Sequence, residues 1–299
     1  MIQVAYHPIY VHPLPEKHRF PMEKYSLLKD ALLRKNIIEE SQIHEPGTIA
    51  EADLLSCTDK NYWHRLKSLA LSKAEIRKSG FPLSQQLVER ELIIMQGSLD
   101  CANYALENGA ALNIAGGTHH ANAHQAEGFC LLNDLAIGVS VLLRDKKIEK
   151  ALIIDLDVHQ GNGTADIFEK DARVFTFSAH GANNFPLKKS KSDLDIAFKD
   201  GTSDELYLST LERQIPLLMD KFKPDIIAYQ SGVDVLSSDK LGKLSLSKQA
   251  CKERDNLVYM NCAKLGLPVF AAMGGGYSPK IAHIVDAHTN TFEIANHYY

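Results

Sequence analysis

The sequence predicts an α/β protein, a mostly parallel sheet covered by helices on both faces, and three observations lead there. From residue 111 onward, short apolar runs rich in β-branched residues alternate with longer stretches of helical periodicity. Four of the apolar runs stop abruptly in polar or glycine-rich residues, as strands do when they deliver groups to a sheet edge. No stretch of the 299 residues shifts toward Pro, Gly and Ser as a linker would, so residues 1–299 read as one three-layer αβα domain.

Residues 2–6 read as a first strand. Pro8, Pro13, Pro15 and Pro21 then hold an irregular loop, since proline fixes φ and donates no hydrogen bond, and that loop carries His7, His12, His18 and Arg19. Apolar residues recur at helical spacing over 22–34, 51–56, 60–71 and 84–107, with Ser84 as N-cap and Gly109 as the stop of the last. A strand over 111–115 follows. Helices over 132–146, 162–170, 203–222, 247–265 and 278 to about 287 then alternate with strands over 150–155, 173–178, 225–230 and 267–272.

Composition narrows the function classes. Nothing in a net charge of −4 with mixed signs argues for a nucleic-acid-binding surface, and the local basic loop of Lys188, Lys189 and Lys191, which could meet an acidic partner, reads more readily as a solvated edge. Five cysteines, odd in number and without C-x-x-C spacing, suit a reducing compartment rather than a disulfide framework. The start Ile2-Gln3-Val4-Ala5-Tyr6 lacks the basic and apolar regions of a leader, and no apolar run reaches bilayer length. A cytoplasmic protein without membrane or nucleic-acid partners is the expectation; the sequence leaves its oligomeric state open.

The chemistry gathers at the four strand ends. After 111–115 come Gly116, Gly117, Thr118 and the tandem His119-His120; after 150–155, Asp155, Asp157 and His159; after 225–230, Ser231 to Asp234; after 267–272, Gly274 to Gly276 and Tyr277. Asp157 and His159 are two apart, so on extended backbone they leave the same side and can point at one ion. Alone, a D-x-H at a strand end is more often a helix cap beside a backbone-bonded histidine. With Asp234 it becomes a set of two carboxylates and an imidazole with room for water or substrate, the arrangement of a catalytic metal site. A histidine near such an ion can take a proton from water and return it to a leaving amine. Gly274 to Gly276 allow close backbone approach, and the Tyr277 phenol can donate to a developing oxyanion.

The segments GGTHHANAHQAEGFCLLND, DLDVHQGNG, VFTFSAH, SGVDVLSSDKLGKLSLS and GGGY, in this order, resemble the metal-dependent histone deacetylase superfamily over nearly the whole chain. HPLPEKHRFPM, the Gln160-Gly161-Asn162 after the histidine and DKLGKLSLS resemble its class IV branch and bacterial relatives. The resemblance implies the arginase/deacetylase fold around an eight-stranded parallel sheet, and hydrolysis of an N-acyl amine, an acylated lysine of a protein or a small acylated amine. It implies Asp157, His159 and Asp234 as ligands of zinc, or of iron(II), with His120 as general base and then acid and His119 its electrostatic partner. Asp155 would hold the first histidine and, with the Ser178 hydroxyl and the backbone at Asp157, His159 and Ala179, bind a structural potassium ion. Tyr277 would polarise the carbonyl and the Gly128 carbonyl receive the substrate amide, beside Gly275 and Gly276. Phe129 and Phe185 would flank the acyl-lysine tunnel, and Arg19 would stand beside the channel at its foot.

Two positions depart from the common pattern. Asn162 stands where many members have an Asp paired with the second histidine, which should keep His120 neutral to lower pH. Thr118 stands where many have Trp, which should enlarge the foot and admit acyl groups longer than acetyl. Three rival readings stay open: an acetylpolyamine amidohydrolase, an acyl-lysine reader without turnover, and a two-metal ureohydrolase. The last needs further carboxylates that Gly161 and Val233 cannot supply.

Overall fold

Along residues 151–155 alternate side chains are buried on opposite faces: Leu152 and Ile154 in one apolar cluster, Ala151 and Ile153 in another. A strand buried on both sides needs cover on both, and the computed structural model, which describes residues 1–299, supplies it. The strands are β1 (Gln3–Ala5), β2 (Ile43–His44), β3 (Ala110–Asn113), β4 (Ala151–Asp155), β5 (Val174–Gly181), β6 (Leu194–Phe198), β7 (Ile226–Gln230) and β8 (Val269–Ala272). The helices are α1 (Lys24–Arg34), α2 (Glu51–Leu54), α3 (Lys60–Lys67), α4 (Lys73–Ser79), α5 (Gln85–Asn108), α6 (Asp134–Arg144), α7 (Asn162–Phe168), α8 (Asp204–Phe222), α9 (Lys248–Leu265) and α10 (Ile281–Tyr298). Leu135 and Val139 of α6 and Phe168 of α7 pack on one face of the sheet, Tyr207 of α8, Val258 of α9 and Phe292 of α10 on the other. This is a single α/β domain of three layers.

All eight strands are parallel, in the order β2-β1-β3-β8-β7-β4-β5-β6. The four strands with polar ends, β3, β8, β7 and β4, are therefore consecutive neighbours in the sheet, although the chain visits them far apart. Their carboxyl ends share one edge, where α/β sheets place ligands. Residue-for-residue register, Asp155 beside Gln230 and Gln230 beside Ala272, brings the following loops together.

Local chemistry explains most boundaries. The hydroxyl of Ser84 accepts the Leu87 N–H at the start of α5, and Gly109 ends that helix. The structure adds three elements to those expected from the sequence. β2 is two residues long, and β6 is an edge strand whose side chains alternate between half-buried and exposed before ending in the buried Phe198. α4 opens on a capping box in which Ser72 and Glu75 bond each other's backbone N–H. α10 runs eleven residues beyond the expected end near 287, to Tyr298, because Phe292, Ile294 and Ala295 keep its inner face buried. No helix is long and apolar enough to cross a membrane.

Candidate active site

Asp157 and His159 lie in the loop after β4, Asp234 in the loop after β7 and Gly274 to Tyr277 in the loop after β8. The structure brings the first three together: their ligand-capable atoms all lie within 4.8 Å of one another, and all three residues are buried. His159 Nδ1 stands 3.1 Å from Asp157 Oδ1 and 3.0 Å from Asp234 Oδ2. Two glycines make the space. A Cβ at Gly232 would lie 2.0 Å from Asp157 Oδ2, and one at Gly275 would lie 2.0 Å from Asp234 Oδ2. The Gly275 N–H also donates to Asp157 Oδ2 at 2.9 Å.

The donor set fits a divalent cation. Burial and then Asp157 raise the Asp234 carboxyl to about 7, while burial of the His159 ring is outweighed by Asp234 and Asp157, which lift it to about 10. Burial would raise Asp157 as well, but His119 and His159 outweigh it and hold that carboxyl well below the usual range, so the negative field falls on its partners, and a cation satisfies the same field. It is the one buried cluster of this kind in the chain.

The tandem histidines diverge. His119 Nδ1 pairs with Asp155 Oδ2 at 2.7 Å; burial opposes its charge, but Asp155 and Asp157 outweigh burial and raise the ring to about 9. His120 stacks against it, ring centroids 4.2 Å apart, and is pushed well below its ordinary range by burial, then by His119 and His159. Its Nδ1 faces Asn162 Oδ1 at 2.7 Å. Burial and charge thus favour the proton on His119 over one on His120.

The tunnel wall comes from a tight turn in which Glu127 and Cys130 exchange backbone hydrogen bonds. Gly128 has φ 54° and Phe129 φ 67°, a conformation uncommon for a non-glycine residue, held by the Gly128 and Phe129 N–H donating to Lys78 and Ser79 carbonyls of α4. A mouth of about 430 Å³ is lined by Gly128, Phe129, Phe185, His120, His159 and Tyr277 among others. Tyr277 is held by its N–H on Asp239 Oδ2 at 2.6 Å and stands edge-on to His159, ring centroids 6.4 Å apart. Its side chain lines the mouth. Asp155 and Ser178 are register partners on β4 and β5, and the Ser178 hydroxyl pairs with His180 Nδ1 at 3.0 Å.

Three expectations need correction. Arg19 does not stand at the foot: Pro15 and Pro21 bracket it in an outward loop, and it is exposed at the mouth. The foot takes its arginine from α5, Arg90, whose Nε donates to the Tyr10 carbonyl and which pairs with the buried Glu91. Gly276 does not face the pocket either; a Cβ there would meet Val233 and Ile284 at 2.8 and 3.0 Å, so it packs behind the loop. And Thr118 does not widen the foot. Its hydroxyl is bound to Asp134 Oδ1 at 2.8 Å, Phe20, Phe81 and Phe129 fill the neighbouring space, and the cavity left is about 30 Å³.

Two further buried cations had no sequence signal. Lys24, on α1, donates to the Gly274 carbonyl at 3.0 Å. Arg254, on α9, donates to the carbonyls of Leu156, Ser231 and Gly232, joining the loops that carry Asp157 and Asp234, and is neutralised by Asp255 at 2.7 Å. Both look like ordinary charges on amphipathic helices until the fold turns them inward.

Comparison with known proteins agrees with this geometry. Residues 18–292 match the family model of the histone deacetylase domain. The chain is 40% identical to an uncharacterized protein of Picosynechococcus sp., over 99% of both chains. It is 28% identical to histone deacetylase 2 of Arabidopsis thaliana, over 90% of this chain and 72% of that one, and 27% identical to the acetoin utilization protein AcuC of Staphylococcus aureus, over 88% and 73%. Among solved structures, an HDAC homolog complexed with SAHA superposes with a TM-score of 0.85 at 26% identity, covering 98% of this chain and 84% of that one.

Proposed function

The chain belongs to the histone deacetylase family and is a hydrolase of acyl amides, and from that premise we propose that it removes short acyl groups from lysine side chains with one divalent metal ion, zinc, held by Asp157, His159 and Asp234. The observation that carries this reading is the convergence of those three donors at the base of a mouth lined by His120, Gly128, Phe129, Phe185 and Tyr277. A divalent ion there supplies Lewis-acid polarisation of the acyl carbonyl and lowers the pKa of water.

The chain's own groups do the rest. Phe129 and Phe185 hold the lysine methylenes, and the Gly128 carbonyl accepts the N–H of the scissile amide. The Tyr277 hydroxyl donates to the carbonyl oxygen and follows it as negative charge develops there. His120 Nε2 takes the proton of the attacking water and delivers it to the leaving amine nitrogen. The protonated His119, fixed by Asp155, places positive charge beside the reacting carbon. Asp155 and the Ser178 hydroxyl would also hold a potassium ion, whose charge would balance the Asp155 carboxylate. Asn162 serves as acceptor for His120.

The charge of the mouth favours acyl-lysine in a peptide over acetylpolyamines. Arg19, Arg77, Lys78 and Lys243 line it, and its one acid, Glu127, is already paired with Lys78 at 3.1 Å. A polyamine keeps cationic nitrogens that this rim repels, whereas acidic residues flanking an acyl-lysine are attracted. The foot of about 30 Å³ suits an acetyl methyl group and little more.

The test is turnover by zinc- and iron(II)-reconstituted enzyme on acetyl-, octanoyl- and myristoyl-lysine peptides beside acetylpolyamines. The expected result is highest kcat/KM on acetyl-lysine peptides, with roughly 10²–10³ lost from kcat in Tyr277→Phe at unchanged metal content. Preference for an acetylpolyamine would make the enzyme a small-molecule amidohydrolase; metal bound with no turnover would make it an acyl-lysine reader.

A further inference from the structure

The amide of Asn162 has two ends, and each is committed. Its Oδ1 faces His120 Nδ1 at 2.7 Å and its Nδ2 faces Glu127 Oε2 at 3.1 Å. Glu127 is itself held: its other oxygen pairs with Lys78 Nζ at 3.1 Å, its side chain is 15% exposed, and its backbone closes the turn that carries Gly128 and Phe129. A carboxylate accepts hydrogen bonds and donates none, so Asn162 must present its NH₂ to Glu127. The amide oxygen is thereby turned to His120. An oxygen accepts only, so the ring must carry its proton on Nδ1, which leaves the Nε2 lone pair free. Without Glu127 the amide can rotate by half a turn, offer NH₂ to Nδ1 and stabilise the opposite tautomer, whose Nε2 carries a proton and cannot take another.

We propose that Glu127 is a positioning residue for His120, acting through Asn162. It restores, one residue further out, the anion that the Asp-to-Asn departure at 162 removes from the histidine, and it sets the tautomer that an aspartate at 162 would set unaided. The turn that binds the substrate amide thus also fixes the proton on the general base. This rests on the assignment of His120 as base.

The test is a two-residue cycle on zinc-loaded full-length enzyme, read as kcat and KM on an acetyl-lysine peptide, with melting temperature and metal content measured for each variant. Glu127→Gln can offer either end of its own amide to Asn162, and its kcat is expected to fall on the order of tenfold with KM within about twofold, below the roughly 10⁴ that a wrong tautomer costs a catalytic triad. Asn162→Asp alone places two carboxylates in contact and is expected to be impaired. Adding Glu127→Gln to it should raise kcat several-fold, a reversal of sign that a scaffold role for Glu127 would not produce. Loss of turnover by Glu127→Gln in both backgrounds, or no loss beside Asn162, overturns the proposal. Nitrogen-15 spectra of the wild-type histidines give a reading independent of variants and of turnover: His120 should be protonated on Nδ1 and bare on Nε2, and the reverse refutes the tautomer argument. Wild-type enzyme that turns over no acyl amide, with the His120 tautomer as expected, would count against the function and leave the positioning intact.

Discussion

The ammonium of Lys24, wholly buried, donates to the carbonyl of Gly274 at 3.0 Å, tying the helix that follows the proline-rich loop to the glycine loop behind Asp157, His159 and Asp234. The same Nζ lies 5.0 Å from the Phe20 ring centre and 5.7 Å from that of Tyr277, so one cation braces both walls. Burial drives its pKa down to about 8, with Asp234 and Asp157 opposing. It remains mostly protonated at neutral pH.

Lys24→Met keeps the volume and removes the donor. The Gly274 carbonyl then lacks its partner, a cost of about 1–3 kcal/mol, offset by no longer burying a charge. Global stability should change little, while the loop carrying Gly275 and Tyr277 loosens. We expect kcat to fall about tenfold with metal content retained. A melting temperature lowered by more than about 8 °C with kcat per folded molecule intact would make Lys24 a folding residue instead.

Gly275→Ala tests the cradle. The new Cβ would lie 2.0 Å from Asp234 Oδ2 and 2.7 Å from Asp157 Oδ2, and both atoms belong to the ligand set. One carboxylate must swing away, so metal affinity should drop by about 100-fold, at the upper end of what displaced supporting groups cost. Gly47→Ala, where a Cβ would meet nothing within 4 Å, is the control and should bind metal normally. Competition with a chelator measures both.

How much of this was legible follows from where each residue sits. Asp157, His159, Asp234 and Tyr277 stand at the ends of apolar runs, and a parallel sheet gathers such ends on one edge, so the site could be read before the fold was known. Ser72 and Glu75 carried a capping-box pattern that marks α4, and that helix shapes the mouth through Arg77 and Lys78. β2, at two residues, carries too little periodicity to be seen. Lys24, Arg90 and Arg254 are different in kind. Each is a cation on an amphipathic helix whose role is set by carbonyls and carboxylates brought near by tertiary packing, and no local pattern encodes that. Arg19 was misplaced for the same reason, since a motif position fixes a residue's order in the chain and not the direction of a loop held by prolines.

Acid should destabilise the protein partly through His180. Its ring, on β5, is pushed down to about 4, chiefly by burial. The folded pKa lies below the ordinary 6.5, so between these values the unfolded chain binds a proton that the folded chain does not. Stability is therefore complete above about pH 6.5 and falls as pH drops toward 4, by on the order of 3 kcal/mol from this group. Urea unfolding at pH 7 and pH 5 checks it: His180→Gln should show a drop about 2 kcal/mol smaller than wild type over that interval, and parallel drops would clear His180 of the effect.

Metal binding should release protons in a pH-dependent number. In the donor cluster burial and Asp157 raise Asp234, the two carboxylates raise His159 against burial, and a divalent ion needs both bare. The coupled pair gives up its protons in succession as pH rises: both must leave on the acid side, about one near neutrality and neither in strong base. The logarithm of the apparent association constant thus gains nearly two units per pH unit on the acid side, about one across neutrality, and flattens in base. Titrating zinc calorimetrically into the apoenzyme in buffers of different ionisation enthalpy counts these protons directly. Near pH 8 the expected count is about one. A count near zero there would mean that His159 is already neutral and that the two carboxylates do not share a proton-attracting field, which would take away the electrostatic reason for placing a cation between them.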